Sequence, residues 1–499
     1  MPIAALALHP KSPLIDNPDV VHCPKPPSVR ARRLIGTLLC VAAACFGPGA
    51  ARALASTGQF TTVEDPIYLL GSESTREQTL SELQALGVQA IRMTMYWNDV
   101  APSPDALRRP SFEQSNPGSY DWGAYGDLAD DVHALGMRLL VDVTGPVPRW
   151  ATKGAKDHLT DPSATEYGAF MTAVGRRFGP EASIFSIWNE PNLVKFLAPQ
   201  FAPGGRPISP ALYRSLFFAG YNGLRAAGVR APILAGETAP VGNPITVAPL
   251  RFLRGVLCLN AHYRPDARCV RLPADGWATH PYIRATFPTA LTGFGADDVP
   301  FGGIGRLVTA LNRAAAAGMV ARHLPIYLTE FGVESYPNTI GGVPLNLQSD
   351  YRSIAEYLAY RNPRVASFSQ YLLTDSPPMP GPPIDRYQFQ TGLYLFAGHK
   401  PKPAYASFRL PLVVRRSGSK VALWGLVRPD RAAHSAGTVT VLAANRSQST
   451  YRVLLRARFG SSGYWTAASS YVAGRHWEVR WTNGAGTAFT GPPTGAYSF

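Results

Sequence analysis

Two glutamates stand in matching settings about 140 residues apart. Glu190 lies within Ser186-Ile187-Trp188-Asn189-Glu190-Pro191-Asn192, and Glu330 within Ile326-Tyr327-Leu328-Thr329-Glu330-Phe331-Gly332. Each run opens on apolar residues and breaks into a loop, so each carboxylate is expected at the C-terminal mouth of a buried strand. Two carboxylates so placed suit cleavage of a glycosidic bond. One, protonated, gives a proton to the leaving oxygen; the other, ionised, attacks the anomeric carbon or activates a water. Their separation decides the outcome: roughly 5 to 5.5 Å means a nucleophile and retained configuration, roughly 6.5 to 9.5 Å leaves room for water and inversion.

The elements that must hold these glutamates follow from the apolar pattern. Candidate strands are Thr61-Thr62-Val63, 89–95, 138–143, 184–188, 232–236, 276–279, 326–328 and 365–372. Helical stretches such as 75–86, 165–178, 211–227, 305–318 and 349–361 lie between them. Eight strands alternating with helices over about 350 residues predict an α/β fold, a (β/α)8 TIM barrel over 56–410. A doubly wound open sheet is the alternative, and no Gly-rich phosphate loop supports it. After Leu410 the texture becomes strands and turns. Residues 451–459 alternate apolar residues with Arg452, Arg456 and Arg458, and Trp477-Glu478-Val479-Arg480-Trp481 repeats the alternation. A C-terminal all-β sandwich over 411–499 is expected, with those three arginines on one ridge.

The first 55 residues read as an extension plus a secretory signal. Arg30, Arg32 and Arg33 precede an apolar run from Leu34 to Phe46 and small residues near Ala53-Leu54-Ala55. That run is too short for the roughly 20 residues of a membrane span. A secreted, extracellular protein is expected, and Cys258 and Cys269, the two cysteines beyond the signal, are expected to pair. No cysteine or histidine spacing suggests zinc or a redox pair, so neither metal nor cofactor is expected. The formal net charge of +15 is concentrated at the ends. Residues 411–499 carry eleven Lys/Arg against Asp430 and Glu478, which leaves the barrel near neutral. No nucleic-acid partner is expected, although the basic domain could touch an anionic wall polymer. Oligomeric state is open.

The stretch Trp188-Asn189-Glu190-Pro191-Asn192-Leu193, with Phe196 after it, resembles the acid/base motif ending strand four in the clan of retaining (β/α)8 glycoside hydrolases (clan A). Family 39 is the most similar, then family 5. Thr329-Glu330-Phe331-Gly332 resembles the clan's nucleophile position on strand seven. The resemblance implies Glu190 as acid/base, Glu330 as nucleophile, Asn189 as donor to a sugar 2-hydroxyl, and a His or Tyr beside strand seven, here His280 or Tyr282, bonding the nucleophile or substrate. The chain departs from the clan on strand eight, where Gln370 and Tyr371 stand in place of a Trp.

From position alone, Arg92 would be costly to bury unpaired and needs a carboxylate, at the mouth or at the barrel floor. Trp97, Trp150, Tyr282 and Tyr371 near strand ends could stack on sugar rings or pack in the core. Glu237 at the end of strand five and Asp142 within strand three are further carboxylates that could bond sugar or a neighbouring side chain. The expected partner is a carbohydrate, with β-linked oligo- or polysaccharide the expected substrate. An inactive carbohydrate-binding or cell-surface protein, and a transglycosylase using the same site, are the alternatives.

Overall fold

Eight strands pair in sequence order, all parallel, and the eighth closes on the first. They are β1 Phe60–Glu64, β2 Ala90–Tyr96, β3 Arg138–Thr144, β4 Ala182–Ile187, β5 Ile233–Thr238, β6 Gly276–Thr279, β7 Ile326–Leu328 and β8 Val365–Tyr371. The computed structural model describes residues 55–381, 386–431, 436–446 and 450–499. The expected export signal, with Cys23, Cys40 and Cys45, lies outside the described residues.

The strands are buried almost end to end, because helices such as Glu73–Ala85, Ala164–Phe178, Ser209–Ala226, Ile304–Ala316 and Leu345–Tyr360 cover their outer faces. Inside, Phe60, Ala90, Leu140, Ile184, Leu234, Ala278 and Tyr327, one from each of seven strands, form an apolar floor. Side chains two apart share a face of a strand. The next inward layer toward the mouth is therefore Arg92, Asp142, Ser186, His280 and Thr329, and its polarity is written into the sequence at period two.

The fold is a TIM barrel followed by two four-stranded sheets. β9 Leu412–Ser417, β10 Lys420–Leu426, β13 Tyr464–Ser470 and β16 Ala496–Tyr497 make one sheet; β11 Ala436–Ala444, β12 Arg452–Gly460, β14 His476–Thr482 and β15 Ala488–Thr490 make the other. Val414, Leu423, Val439, Val441, Phe459, Trp465 and Trp477 fill the space between them. Buried Arg428 ties this domain to the barrel, donating to the Phe408 carbonyl at 2.7 Å and pairing with Glu356, which also holds Arg352 at 2.9 Å.

The expected ridge of three arginines is not formed. A bulge between β11 and β12 shifts the register: Val441 faces Leu455, but Leu442 faces Val453 and Ala443 faces Arg452. One extra residue flips everything beyond it to the other face. Arg456 and Arg458 remain together outside and are joined by Arg480 across the sheet, since Thr440 faces both Arg456 and Arg480. Exposed Val453 takes the place expected for Arg452, and Arg480 is bonded to Glu478 at 2.7 Å. Cys258 and Cys269 are disulfide-bonded, their Cα atoms 6.3 Å apart, within the usual span for such a bridge.

Candidate active site

Arg92 is the hub of the barrel mouth. Fully buried on β2, its guanidinium donates to Glu330 Oε1 at 2.7 Å, Asp142 Oδ2 at 2.8 Å, Asn189 Oδ1 at 3.0 Å and Glu237 Oε2 at 3.4 Å, and it also pairs with Glu64. Burial by itself would lower its pKa; the charges of Glu64, Glu237, Glu330 and Asp142 outweigh that and hold it well above the ordinary value. Burial raises the pKa of Glu64, with Arg92 opposing, and pushes Asp142 well above the usual carboxylate range. Arg92 therefore belongs to the mouth and not to an ion pair at the floor.

Glu190 follows β4 in a strained turn. Trp188 has φ 71° and Glu190 φ 37°, left-handed values that cost a non-glycine residue about 1 to 3 kcal/mol. The turn is held from several sides. The Glu190 amide donates to the Glu237 carbonyl at 2.9 Å, the Trp188 amide to Val143 at 3.0 Å, and the Trp188 indole to Phe196 at 3.1 Å. Asn192 staples the loops after β4 and β5, accepting from the Ala239 amide at 2.9 Å and donating to Ala239 at 3.1 Å and Val247 at 3.0 Å. The two asparagines of the motif thus differ in use: Asn192 is consumed by backbone, while the Asn189 amide nitrogen makes no hydrogen bond among the described residues.

His280 sits between the two glutamates. Its Nδ1 is 3.0 Å from Glu190 Oε1 and 3.6 Å from Glu330 Oε2, and its Nε2 is 2.6 Å from Glu237 Oε2. Burial works against its charge, but Glu330, Glu190 and Glu237 prevail and raise its pKa to about 10. Glu237 is held down to about 2, its burial outweighed by Arg92, His280 and Ser186. The sign of the linkage is opposite for the two. The stabilisation from His280 is complete below its unfolded value and is lost as pH rises toward about 10; that from Glu237 is lost as pH falls from about 4.5 toward about 2. Tyr282 donates from its hydroxyl to Glu330 Oε2 at 2.9 Å.

One oxygen of Glu190, one of Glu330 and a ring nitrogen of His280 lie within 4.8 Å of one another. Placed so, they could approach a cation together or share the protons that acid/base chemistry moves.

The aromatics divide. Tyr371, at the end of β8, meets Tyr282 edge-on at 6.2 Å and Phe389 at 5.3 Å, so it borders the glutamates. Gln370 beside it is used up by Arg352 at 2.8 Å and the Thr391 carbonyl at 2.8 Å. Trp97 is not a surface for sugar. It is 0% exposed, stacked on Phe170 at 5.0 Å and packed by Tyr167 and Trp150, because the helix Ala164–Phe178 lays its aromatic face over the end of β2. Trp150 is half-buried against Trp97 and Phe112 and lines a separate cleft with Thr152, Lys153, Asp161 and Glu166. Trp97→Ala is expected to destabilise the fold by about 3 to 5 kcal/mol, measured by urea denaturation. A loss near zero would mean the indole is not packed in this way.

Glu64 escaped the sequence reading, and so did the placement of Glu237. Glu64 ends β1 and accepts from Thr94 at 2.8 Å as well as pairing with Arg92. Its signal was the number of acceptors a buried arginine requires. Glu237 was visible as a carboxylate at a strand end, but its position behind His280 depends on three other strands.

No protein-family model matches this sequence, and no curated protein does. Among solved structures, the chain is similar to a family 39 glycoside hydrolase from the gut symbiont Bacteroides cellulosilyticus WH2, at 14% identity and TM-score 0.50, covering 85% of this chain and 81% of that one. It is also similar to a glucosidase from Croceicoccus marinus, at 10% identity and TM-score 0.50, covering 85% and 95%. Likeness at such identities is likeness of fold.

Proposed function

We propose that this protein is a retaining glycoside hydrolase acting on β-linked oligo- or polysaccharide, with Glu330 as nucleophile and Glu190 as acid/base. The observation that carries the reading is the approach of one oxygen from each glutamate to within 4.8 Å, which supports the short carboxyl separation of a retaining site. Glu330, bonded by Arg92 and Tyr282, is suited to attack the anomeric carbon and form a glycosyl ester. Glu190 protonates the departing oxygen and then takes a proton from the water that releases the sugar. Asn189, its carbonyl anchored on Arg92, is free to donate to a 2-hydroxyl. The reading includes export on the strength of the N-terminal signal pattern. The part of the basic domain suited to touch an anionic polymer is the face that carries Arg456, Arg458 and Arg480.

The test is proton NMR of products formed from a panel of aryl β-glycosides. The first sugar or transfer product should keep the anomeric configuration of the substrate. An inverted first product would refute double displacement. Retention of sugar without release from any substrate would favour a binding protein, and transfer to a sugar acceptor in place of water would identify a transglycosylase.

A further inference from the structure

We propose that Glu237 is a positioning residue of this site: by keeping His280 a doubly bonded imidazolium, it fixes one N–H between Glu190 and Glu330 throughout turnover. This rests on the reading of those two glutamates given above. The geometry is that of a bolt. Glu237, fully buried with φ 46°, accepts from Ser186 Oγ at 2.6 Å, Thr329 Oγ1 at 2.6 Å and His280 Nε2 at 2.6 Å, with Arg92 at 3.4 Å. Ser186 stands on β4 shortly before Glu190, and Thr329 immediately precedes Glu330. One carboxylate on β5 therefore ties together the ends of β4, β6 and β7, which bear Glu190, His280 and Glu330.

The groups facing His280 are Glu190 after β4, Glu237 on β5 and Glu330 after β7, with Asp142 on β3 and Arg92 on β2 in the same cluster. The negative charge of this cluster alternates during a double displacement. Glu330 is ionised first and esterified later, while Glu190 loses its proton as the ester forms. The Nδ1–H, at 3.0 Å from one glutamate and 3.6 Å from the other, meets whichever is the anion. Because the Glu237 carboxylate accepts from a proton-bearing Nε2 at 2.6 Å, Nδ1 can remain a donor as well only while His280 stays charged, and Glu237 is the one of its partners that does not change state.

The test pairs Glu237→Gln with the wild-type protein. Glutamine keeps the shape and can still accept from Ser186, but it removes the charge behind Nε2. His280 should then lose its proton at a lower pH than in the wild type, because one of the three carboxylates that raise its pKa is gone while Glu330 and Glu190 remain. Above that point kcat/KM on an aryl glycoside should fall about tenfold per pH unit relative to wild type, while the two enzymes converge toward pH 5. Histidine NMR, with His280 assigned through His280→Gln, should show the wild-type ring protonated on both nitrogens from pH 5 to 9. A wild-type ring that loses its proton between pH 6 and 8 overturns the proposal, as does a Glu237→Gln enzyme with the wild-type pH profile or with a loss equal at every pH. Should Glu237→Gln not fold, the wild-type titration decides alone. A charged His280 in a protein that releases no sugar would contradict the hydrolase reading and not this placement of charge.

Discussion

Glu330→Gln should lower kcat by about 10⁴-fold while the protein folds as before. The amide has the size of the carboxylate, and its oxygen can still accept from Arg92 Nη1, now 2.7 Å from Glu330 Oε1. The Tyr282 hydroxyl, which donates to Oε2 at 2.9 Å, can turn and accept instead. What is lost is the lone pair that attacks the anomeric carbon, and Glu237, locked by four donors, cannot replace it. Glu190→Ala should behave differently. It removes the general acid, for a loss of the order of 10² to 10⁴-fold, but the loss should shrink for an aryl leaving group that departs without protonation, and added azide should restore turnover by entering the space vacated. Equal losses on activated and unactivated substrates, or azide rescue of neither variant, would exchange or cancel the two roles.

The second large effect is expected from Arg92→Met. In the wild type one guanidinium answers Glu64, Asp142, Glu237 and Glu330, all buried or nearly so. Without it those carboxylates repel in a space that water does not reach, and breaking a buried ionic cluster on one side costs about 3 to 5 kcal/mol. The variant's carboxylates should take up protons on folding, so the native state binds more protons than the unfolded one and stability falls as pH rises. The deficit should therefore be largest near neutrality and smaller near pH 4, read as the difference in thermal midpoint across pH. A deficit independent of pH would mean that Arg92 matters through packing and not through charge. Activity should fall with it, because Glu330 loses the donor that holds its Oε1 at 2.7 Å.

Much of this was legible in the chain. The apolar runs at Ile326–Leu328 and Gly276–Thr279 place β7 and β6 as expected, and Arg92, Asn189, Glu190, His280, Tyr282 and Glu330 all meet at one mouth because strand ends in a parallel barrel must converge there. Three features were not legible, each for a physical reason. Trp97 ends a strand like a cleft aromatic, and only the packing of Phe170 and Tyr167 from a helix some 70 residues later decides that it is core. Arg452 follows the alternation of its own strand, but its face is set by a bulge in the pairing with β11. Trp188 continues the apolar run of β4 yet turns left-handed at φ 71°, because its indole is claimed by the Phe196 carbonyl and its amide by β3.

The central claim is that Glu330 forms the bond to sugar. The most direct measurement is peptide mass spectrometry after inactivation with a 2-deoxy-2-fluoro glycoside, in which the slowed second step leaves the glycosyl ester on the protein. The account predicts one adduct, on the peptide that contains Thr329-Glu330-Phe331-Gly332 and at Glu330 itself. An adduct on Glu190, Glu237 or Glu64 would contradict it.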